Sequence, residues 1–302
     1  MNTTIIYYTD NTLDPVFEKR VQDELVKAAE GKRIISVSQK EMAFGDNICV
    51  GEMGRSHHSL YHQALTGAKA ADTKYIALAE HDCMYTAEHF NWVPPTDDIF
   101  YYNVHHYFIQ WNNKAEGQYS YFRRKPLSQL ICARDIFLEA IKEKLQMLEA
   151  GYDLRRGEPG ACEPGVCDNR RAFVAAKAKL KDVGKGRKWT AKGFRTILPT
   201  LDIRHKDNFS GARRARQRTY SIPYWGSFHA VMGKPPPGLW YQNATINGVA
   251  MPTRSRRRNT HERRWRTFVK PLLPLEDGTD RTFIELGCNA GFYLRKMKDR
   301  GY

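Results

Sequence analysis

The acidic triplet Glu80-His81-Asp82 places two carboxylates and an imidazole next to one another in the sequence. It closes an apolar run, residues 74–80 (KYIALAE), which predicts a buried strand. In open α/β sheets, ligands bind outside the carboxyl ends of the strands. Two carboxylates with one residue between them at such an end predict a site for Mg²⁺ or Mn²⁺, which would bridge to a diphosphate. The alternative is a solvated turn after a buried strand.

The elements that must position this triplet alternate between strand and helix. Apolar runs predict strands at residues 4–9 and 33–38, ahead of the run at 74–80. Between them, Asp14 followed by proline predicts a helix start, and an apolar stripe predicts a second helix over 56–71. The order βαβαβ indicates a doubly wound α/β sheet.

Downstream the pattern is mixed and then loses its periodicity. Further elements are predicted as strands at 98–103, 127–133 and 194–204, a helix at 134–150 and a loop at 151–170. From about residue 210 to 275 the chain is basic and irregular. The predicted fold class is therefore α/β, with a mostly parallel sheet flanked by helices and a basic irregular C-terminal extension.

Length and composition limit the possible classes of protein. The chain has 302 residues, enough for one large or two modest domains. Hydrophobic residues make up 41% of it, so wholesale disorder is not expected. It has no apolar run long enough for a membrane-spanning helix and no secretory pattern at the N-terminus. Six scattered cysteines do not form a disulfide framework, so we expect reduced thiols and a cytoplasmic protein.

Charge is distributed very unevenly along the chain. The formal net charge is +15, but residues 1–150 carry −4 whereas residues 151–302 carry +19. Such asymmetry predicts a polyanionic partner for the second half. Nucleic acid is the first candidate, because neutralised phosphates release counterions. An anionic membrane surface or an acidic glycan is the second, and ordinary solubilising charge is the remaining interpretation.

The layout of residues 1–215 resembles the GT-A-fold glycosyltransferases, whose Asp-x-Asp signature closes a strand and binds a metal ion and a nucleotide-sugar. Here the signature would be Glu80-His81-Asp82, with Glu in the first place, which favours Asp82 as the metal ligand. The resemblance implies a Rossmann-type sheet, a nucleoside diphosphate sugar such as a UDP-sugar, and Mn²⁺ or Mg²⁺.

The same resemblance implies that the loop after the first strand, Thr9-Asp10-Asn11, cradles the nucleotide and that Arg55 faces it. Turn chemistry and a surface cation are the alternatives for these residues. The family often supplies a late histidine to the metal site, and His205 is the matching residue. Lys206, next to it, would meet the phosphates.

An inverting enzyme of this family also needs a carboxylate base, commonly in a loop well after the acidic signature. Within residues 151–170, Glu163 ranks slightly ahead of Glu158 for that role. A retaining enzyme would need no such base, and the sequence leaves the stereochemistry open. Cys162 and Cys167 with His205 offer a competing zinc site, although the sequence has no second cysteine pair at metal-ligand spacing.

The C-terminal end resembles the first motif of class I S-adenosylmethionine-dependent methyltransferases. Residues 281–293 read RTFIELGCNAGFY, an apolar strand and a Gly-bearing turn with Asn289 in place of the middle glycine. The match is short, so we expect the beginning of a truncated domain without methyl transfer. The predicted organisation is a glycosyltransferase-like domain at 1–220, a basic connection at 221–279 and this fragment at 280–302.

A basic second half on a glycosyltransferase layout suggests a hydroxymethylated base in DNA as the acceptor, reached by flipping the nucleotide out. A polysaccharide or lipid-linked saccharide is an alternative of almost equal weight. A different class is a non-enzymatic nucleic-acid-binding module, in which the acidic triplet is an inert turn. In the DNA case the phosphates would be held by six arginines, namely Arg213, Arg214, Arg216, Arg256, Arg257 and Arg258.

Overall fold

The computed structural model of the protein describes residues 2–110, 118–121, 124–150, 163–166, 189–205, 218–219, 221–232, 244–246 and 249–251. The chain divides into two compact units, Met1–Phe228 and His229–Tyr302. Within the described ranges, no helix combines the length and apolar character needed to cross a bilayer. Several predicted features fall outside those ranges: Glu158, Lys206, the cysteines of the zinc hypothesis, the six arginines and the methyltransferase-like motif.

Strands and helices alternate through the first unit. Its strands are β1 (Thr3–Thr9), β2 (Ile34–Ser38), β3 (Asp46–Cys49), β4 (Tyr75–Glu80), β5 (Cys83–Met84), β6 (Ile99–Asn103), β7 (His106–Gln110), β8 (Tyr119–Tyr121), β9 (Leu130–Ala133), β10 (Thr190–Phe194), β11 (Thr200–Arg204), β12 (Arg218–Thr219), β13 (Ser221–Ile222) and β14 (Gly226–Ser227). Its helices are α1 (Pro15–Ala29), α2 (His57–Ala70), α3 (Ala87–Asn91) and α4 (Arg134–Glu149), with a 3-10 helix at Leu127–Gln129. A fifth helix, α5 (Phe228–Met232), starts at the last residue of this unit. In the second unit, β15 (Ala244–Ile246) and β16 (Val249–Met251) form an antiparallel pair.

A seven-stranded sheet in the order β10-β6-β9-β4-β1-β2-β3 forms the centre of the first unit. β1 is parallel to β2 and β4, β3 is parallel to β2, and β10 is parallel to β6, whereas β9 is antiparallel to both neighbours. Ile5, Ile6 and Ile76 are fully buried, as expected for apolar strands covered on both faces. The predicted α/β class with a mostly parallel sheet is confirmed.

Local signals begin and end the two long helices nearest β1. The Phe17 N–H donates to the Asp14 side chain (3.1 Å), which caps α1, and Gly31 follows its last turn in the left-handed region (φ 79°). The Ser59 N–H donates to Ser56 Oγ (3.0 Å) and so caps α2. The predicted starts of both helices are therefore correct. The loops that lead into these helices lie at the carboxyl-end edge of the sheet.

A second sheet, in the order β12-β8-β7-β11-β5, continues from the first through two strand pairs. β6 leads into β7 and β10 leads into β11, and the partners are parallel in both sheets. The short strand predicted within 194–204 is β11, but it is narrower than that range, because the chain leaves one sheet after Phe194 and enters the other only at Thr200. Pro199, at that point, has no N–H to donate to a ladder. The strand predicted over 127–133 likewise starts only at Leu130, after a 3-10 helix.

Buried polar side chains fix the corner between the two sheets. The Asn103 amide donates to Thr196 Oγ1 (2.9 Å) and to His89 Nδ1 (3.3 Å). The Asn103 side-chain oxygen accepts from the His105 N–H (2.9 Å). Asn103 and His89 are fully buried. Because His89 Nδ1 must accept a hydrogen bond here, the corner requires the neutral imidazole.

We expect this corner to make stability depend on pH. Burial, with a smaller contribution from the nearby His106, lowers the pKa of His89 to about 3. In the unfolded chain the pKa returns to about 6.5. Below that pH the unfolded state gains a proton that the folded state does not, so His89 should destabilise the fold by about 2 kcal/mol between pH 7 and pH 5. Urea-unfolding free energies at the two pH values measure the loss.

His89→Asn is the matched variant, because its side-chain oxygen still accepts from Asn103. It should flatten the pH dependence of the unfolding free energy. His58→Asn, on the partly exposed surface of α2, is the control and should leave the dependence unchanged. If His89→Asn kept the wild-type dependence, His89 would not be its source.

Candidate functional site

A cleft of about 200 Å³ opens at the carboxyl ends of β1, β2 and β4, beside the start of α2. The predicted site residues that line it are Thr9, Asp10, Arg55, Glu80, His81, Asp82 and Glu163. It is also lined by residues that the sequence analysis did not assign, among them Tyr8, Gln39, Gln63, Asp202 and Arg204. The parallel topology accounts for the meeting, since the carboxyl ends of neighbouring parallel strands lie at one edge of a sheet.

The second sheet brings His205 to the acidic triplet. β5, directly after Asp82, pairs antiparallel with β11, and the Ile203 N–H donates to the Asp82 carbonyl oxygen (2.9 Å). As a result, His205 Nε2 lies 3.7 Å from Asp82 Oδ2. One ligand atom from each of His81, Asp82 and His205 lies within 4.8 Å of the other two. The chain thus assembles one carboxylate and two imidazoles at a single point.

This donor set fits a divalent cation of the Mn²⁺ type. Imidazole nitrogen suits Mn²⁺ better than Mg²⁺, which prefers an all-oxygen environment. Burial alone would raise the pKa of Asp82, but the neighbouring His205 imidazole and the charges of His81 and Arg204 hold the pKa below its ordinary value. Asp82 is therefore ionised at neutral pH, as a carboxylate ligand must be.

Glu80 lies in a different environment from Asp82. Its carboxylate accepts from the Tyr8 hydroxyl (2.6 Å). Burial and the charge of Asp82 raise the pKa of Glu80 above its ordinary value. Ligand atoms of Glu80, Asp82 and Cys83 also lie within 4.8 Å of one another. Of the two carboxylates in the triplet, Asp82 is the better prepared to bind a cation.

The loop after β1 holds the neighbours of this cluster in place. Thr9 Oγ1 lies 2.7 Å from His81 Nδ1, and Asp10 Oδ1 lies 3.6 Å from the same atom. Arg55 Nε donates to Asp10 Oδ2 (2.6 Å). The Asn11 side-chain oxygen accepts from two backbone N–H groups after β2 (2.9 Å each). Thr9 and Asp10 therefore orient His81 and Arg55, while Asn11 fixes the loop itself.

Asp202 and Arg204 on β11 are site residues that the sequence analysis missed. Arg204 Nη2 donates to Asp202 Oδ2 (2.7 Å), and the guanidinium carbon lies 4.9 Å from the centre of the Phe108 ring. The Arg204 side chain is only 11% exposed and the Asp202 side chain only 3%. Residues two apart on a strand share a face. The Asp-x-Arg pair inside the otherwise apolar TLDIR is the signal that could have revealed them.

Glu163 reaches the cleft from a short turn, residues 163–166. The Val166 N–H donates to the Glu163 carbonyl oxygen (3.2 Å) and closes this turn. The Glu163 side chain is half-buried and shares the cleft with Asp82 and Arg204. Glu163 is thus a further acidic group of the cleft, and it approaches the cleft from a turn that lies outside the two sheets.

Comparisons with known proteins give partial similarities to solved structures. No protein-family description matches the chain, and no curated protein sequence matches it. A glycosyltransferase involved in the glycosylation of the major capsid of PBCV-1 is similar at 8% identity and a TM-score of 0.35, over 64% of this chain and 82% of that one. The glycosyltransferase GlyE of Streptococcus pneumoniae TIGR4 is similar at 10% identity and a TM-score of 0.35, over 63% and 44%. S. aureus TarS 1-349 is similar at 8% identity and a TM-score of 0.35, over 67% and 60%. Similarity at this level gives no residue a role.

Proposed function

We propose that this chain is a metal-dependent glycosyltransferase, which moves a sugar from a nucleoside diphosphate sugar, such as a UDP-sugar, to a hydroxyl acceptor. The observation that carries the proposal is that three features meet at one cleft. They are the cluster of His81, Asp82 and His205 (the cation-type cluster), the two arginines Arg55 and Arg204, and the separate carboxylate of Glu163. Binding a diphosphate calls for the first two features. Activating a hydroxyl calls for the third.

The charge of the cleft explains why a cation would be required. Carboxylates line the cleft at Asp10, Glu80, Asp82, Glu163 and Asp202. Its two arginines are already engaged, because Arg55 pairs with Asp10 and Arg204 pairs with Asp202. A diphosphate entering alone would meet an excess of its own sign of charge.

Asp82, His81 and His205 would hold the cation, with Glu80 beside them. Their nitrogen and oxygen donors favour Mn²⁺ over Mg²⁺. When bound, the ion would neutralise the negative charge that develops on the departing diphosphate. Thr9 and Asp10 would keep the His81 ring in the orientation that this requires.

Glu163 is the proposed general base of an inverting reaction. It takes the proton of the acceptor hydroxyl as that oxygen forms a bond to the anomeric carbon. The bond between the anomeric carbon and the phosphate oxygen breaks, and its electron pair leaves with the diphosphate. Arg204 and Arg55 lie in the same cleft and donate hydrogen bonds to the anionic leaving group.

The loop Thr9-Asp10-Asn11 and Arg55 form the proposed nucleotide side of the cleft, with Lys206 as a further phosphate partner. A hydroxymethylated base in DNA is the proposed acceptor, because the charge of +19 over residues 151–302 favours a polyanion. The six arginines at 213, 214, 216, 256, 257 and 258 would contact its phosphates. A saccharide acceptor is the competing proposal.

Release of free nucleoside diphosphate from a panel of sugar nucleotides tests the proposed reaction. We expect turnover with Mn²⁺, a loss of at least about 10-fold in EDTA, and stimulation by duplex DNA that carries hydroxymethylated bases. Unmodified duplex DNA of the same sequence is the control. Turnover that ignores both DNAs would keep the transferase and favour a saccharide acceptor. Salt-sensitive DNA binding without turnover of any donor would support the non-enzymatic binding module instead.

A further inference from the structure

The turn that carries Glu163 is fastened to the core at three successive residues. Pro164 and Gly165 are buried, and Val166 packs against the core cluster that contains Tyr102 and Trp189. A turn that only bridged two elements would not need such attachments. They restrict the position of the Glu163 backbone, and with it the range that the Glu163 carboxylate can reach in the cleft.

The first attachment is a hydrogen bond from the sheet. The Tyr102 hydroxyl, on β6, donates to the Pro164 carbonyl oxygen (2.8 Å). Tyr102 is fully buried. Proline has no N–H, so its carbonyl is the one backbone group through which this residue can be hydrogen-bonded. The ring of Tyr102 is fixed by the core, and its hydroxyl therefore sets the position of the Pro164–Gly165 peptide, one residue beyond Glu163.

The second attachment is a close backbone approach. Gly165 has a φ of 75°, in the region that favours glycine. A Cβ at this position would lie 2.8 Å from the Thr190 carbonyl carbon and 2.9 Å from the Ala191 nitrogen. Any side chain would push the turn away from β10. Glycine is therefore required both by conformation and by space, and it brings the turn directly onto the strand.

We propose that Tyr102 and Gly165 are positioning residues that act on the reaction through Glu163. This inference rests on the proposed function, in which Glu163 is the general base. A base displaced by about 1 Å loses on the order of 100-fold in rate, although the groups that bind the donor are untouched. The Tyr102 hydroxyl contacts the turn at the Pro164 carbonyl oxygen, and Tyr102 is not one of the residues that line the cleft.

The test is a double-mutant cycle on Tyr102 and Glu163, read as Mn²⁺-dependent hydrolysis of the best UDP-sugar of the panel. We expect Tyr102→Phe to lower kcat by about 10–100-fold and to leave the donor KM unchanged. Glu163→Gln should lower kcat by about 100-fold or more. The double variant should be no slower than Glu163→Gln, because a residue that acts through the base has no effect once the base is gone.

Tyr75→Phe is the matched control. Tyr75 belongs to the same core cluster and donates its hydroxyl to Asp97 (2.8 Å). Tyr75→Phe should lower Tm about as much as Tyr102→Phe does, but it should leave kcat at the wild-type value. If Tyr102→Phe does not fold, the cycle is repeated with Gly165→Ala, for which we expect the same loss in kcat and the same non-additivity.

Two outcomes would overturn the inference. An unchanged kcat in Tyr102→Phe would show that the hydrogen bond does not position the base. Equal losses from Tyr102→Phe in the wild-type and Glu163→Gln backgrounds would show that Tyr102 acts independently of Glu163. Failure of the proposed function is recognised separately, because the wild-type protein would then turn over no donor; failure of the base assignment alone would leave Glu163→Gln with wild-type turnover.

Discussion

Asp82→Asn should reduce turnover of the sugar nucleotide by about 10³-fold and leave the protein folded. Asp82 is buried, and one of its carboxylate oxygens lies within 4.8 Å of a ring nitrogen of His81 and a ring nitrogen of His205. Asparagine keeps its shape but removes the charge that would bind the cation. The fold should tolerate the change, because asparagine fills the same space and still offers a side-chain oxygen in the buried site.

Three measurements together decide this expectation. Turnover is followed as release of nucleoside diphosphate, Mn²⁺ binding as the loss of the free-ion signal in electron paramagnetic resonance, and folding as Tm. We expect the apparent Mn²⁺ affinity to fall by more than about 10-fold while Tm stays within a few degrees. Asp72→Asn, at an exposed carboxylate, is the control. Wild-type turnover in Asp82→Asn would contradict the proposed site.

Arg204→Met should cost about 3–5 kcal/mol in unfolding free energy. The guanidinium stands among the acidic groups of the cleft, paired with Asp202 and stacked on Phe108. Methionine keeps much of the packing of the arginine stem. It removes the positive charge that balances the buried Asp202 carboxylate. The loss should therefore be much larger than for a surface pair, and diphosphate binding should weaken with it.

Removing both charges separates the two contributions. We expect Arg204→Met combined with Asp202→Leu to recover most of the stability, because the buried charge is then gone. It should not recover turnover, since the proposed partner of the diphosphate is missing. Arg33→Met, which breaks an exposed pair with Asp46, is the control and should cost less than about 1 kcal/mol. A similarly small loss for Arg204→Met would contradict this account. The measurement is urea unfolding at neutral pH.

Local signals were sufficient to predict three neighbouring strands of the central sheet, but not β3 beside them. Apolar runs predicted β1, β2 and β4, and Asp14 predicted the start of α1. Such runs are informative because strands covered on both faces read as near-continuous apolar runs and not as a strict apolar/polar alternation. The same patterns predicted that Thr9 ends one strand and that Asp82 follows another, and parallel pairing is enough to bring two such positions to one edge.

The second sheet could not be predicted in this way. Its strands β5 and β8 are two and three residues long, too short to show periodicity. Asp202 and Arg204 reach the cleft because β11 pairs with β5, a contact between segments that are remote in sequence. The position of Glu163 likewise depends on Tyr102 and Gly165, and no local pattern relates a turn to the strand that holds it.

The pairing of β5 with β11 also has a consequence for the order in which the protein folds. Cys83 and Asp202, which face each other in this ladder, are separated by more than 100 residues of chain. Closing so long a loop costs entropy that local contacts do not repay, so such pairings form late. During synthesis, β1, β2 and β4 can already pair before β11 leaves the ribosome. The acidic triplet is therefore joined by His205 and Arg204 only when β11 pairs with β5. The complete set of cleft residues is assembled late in folding.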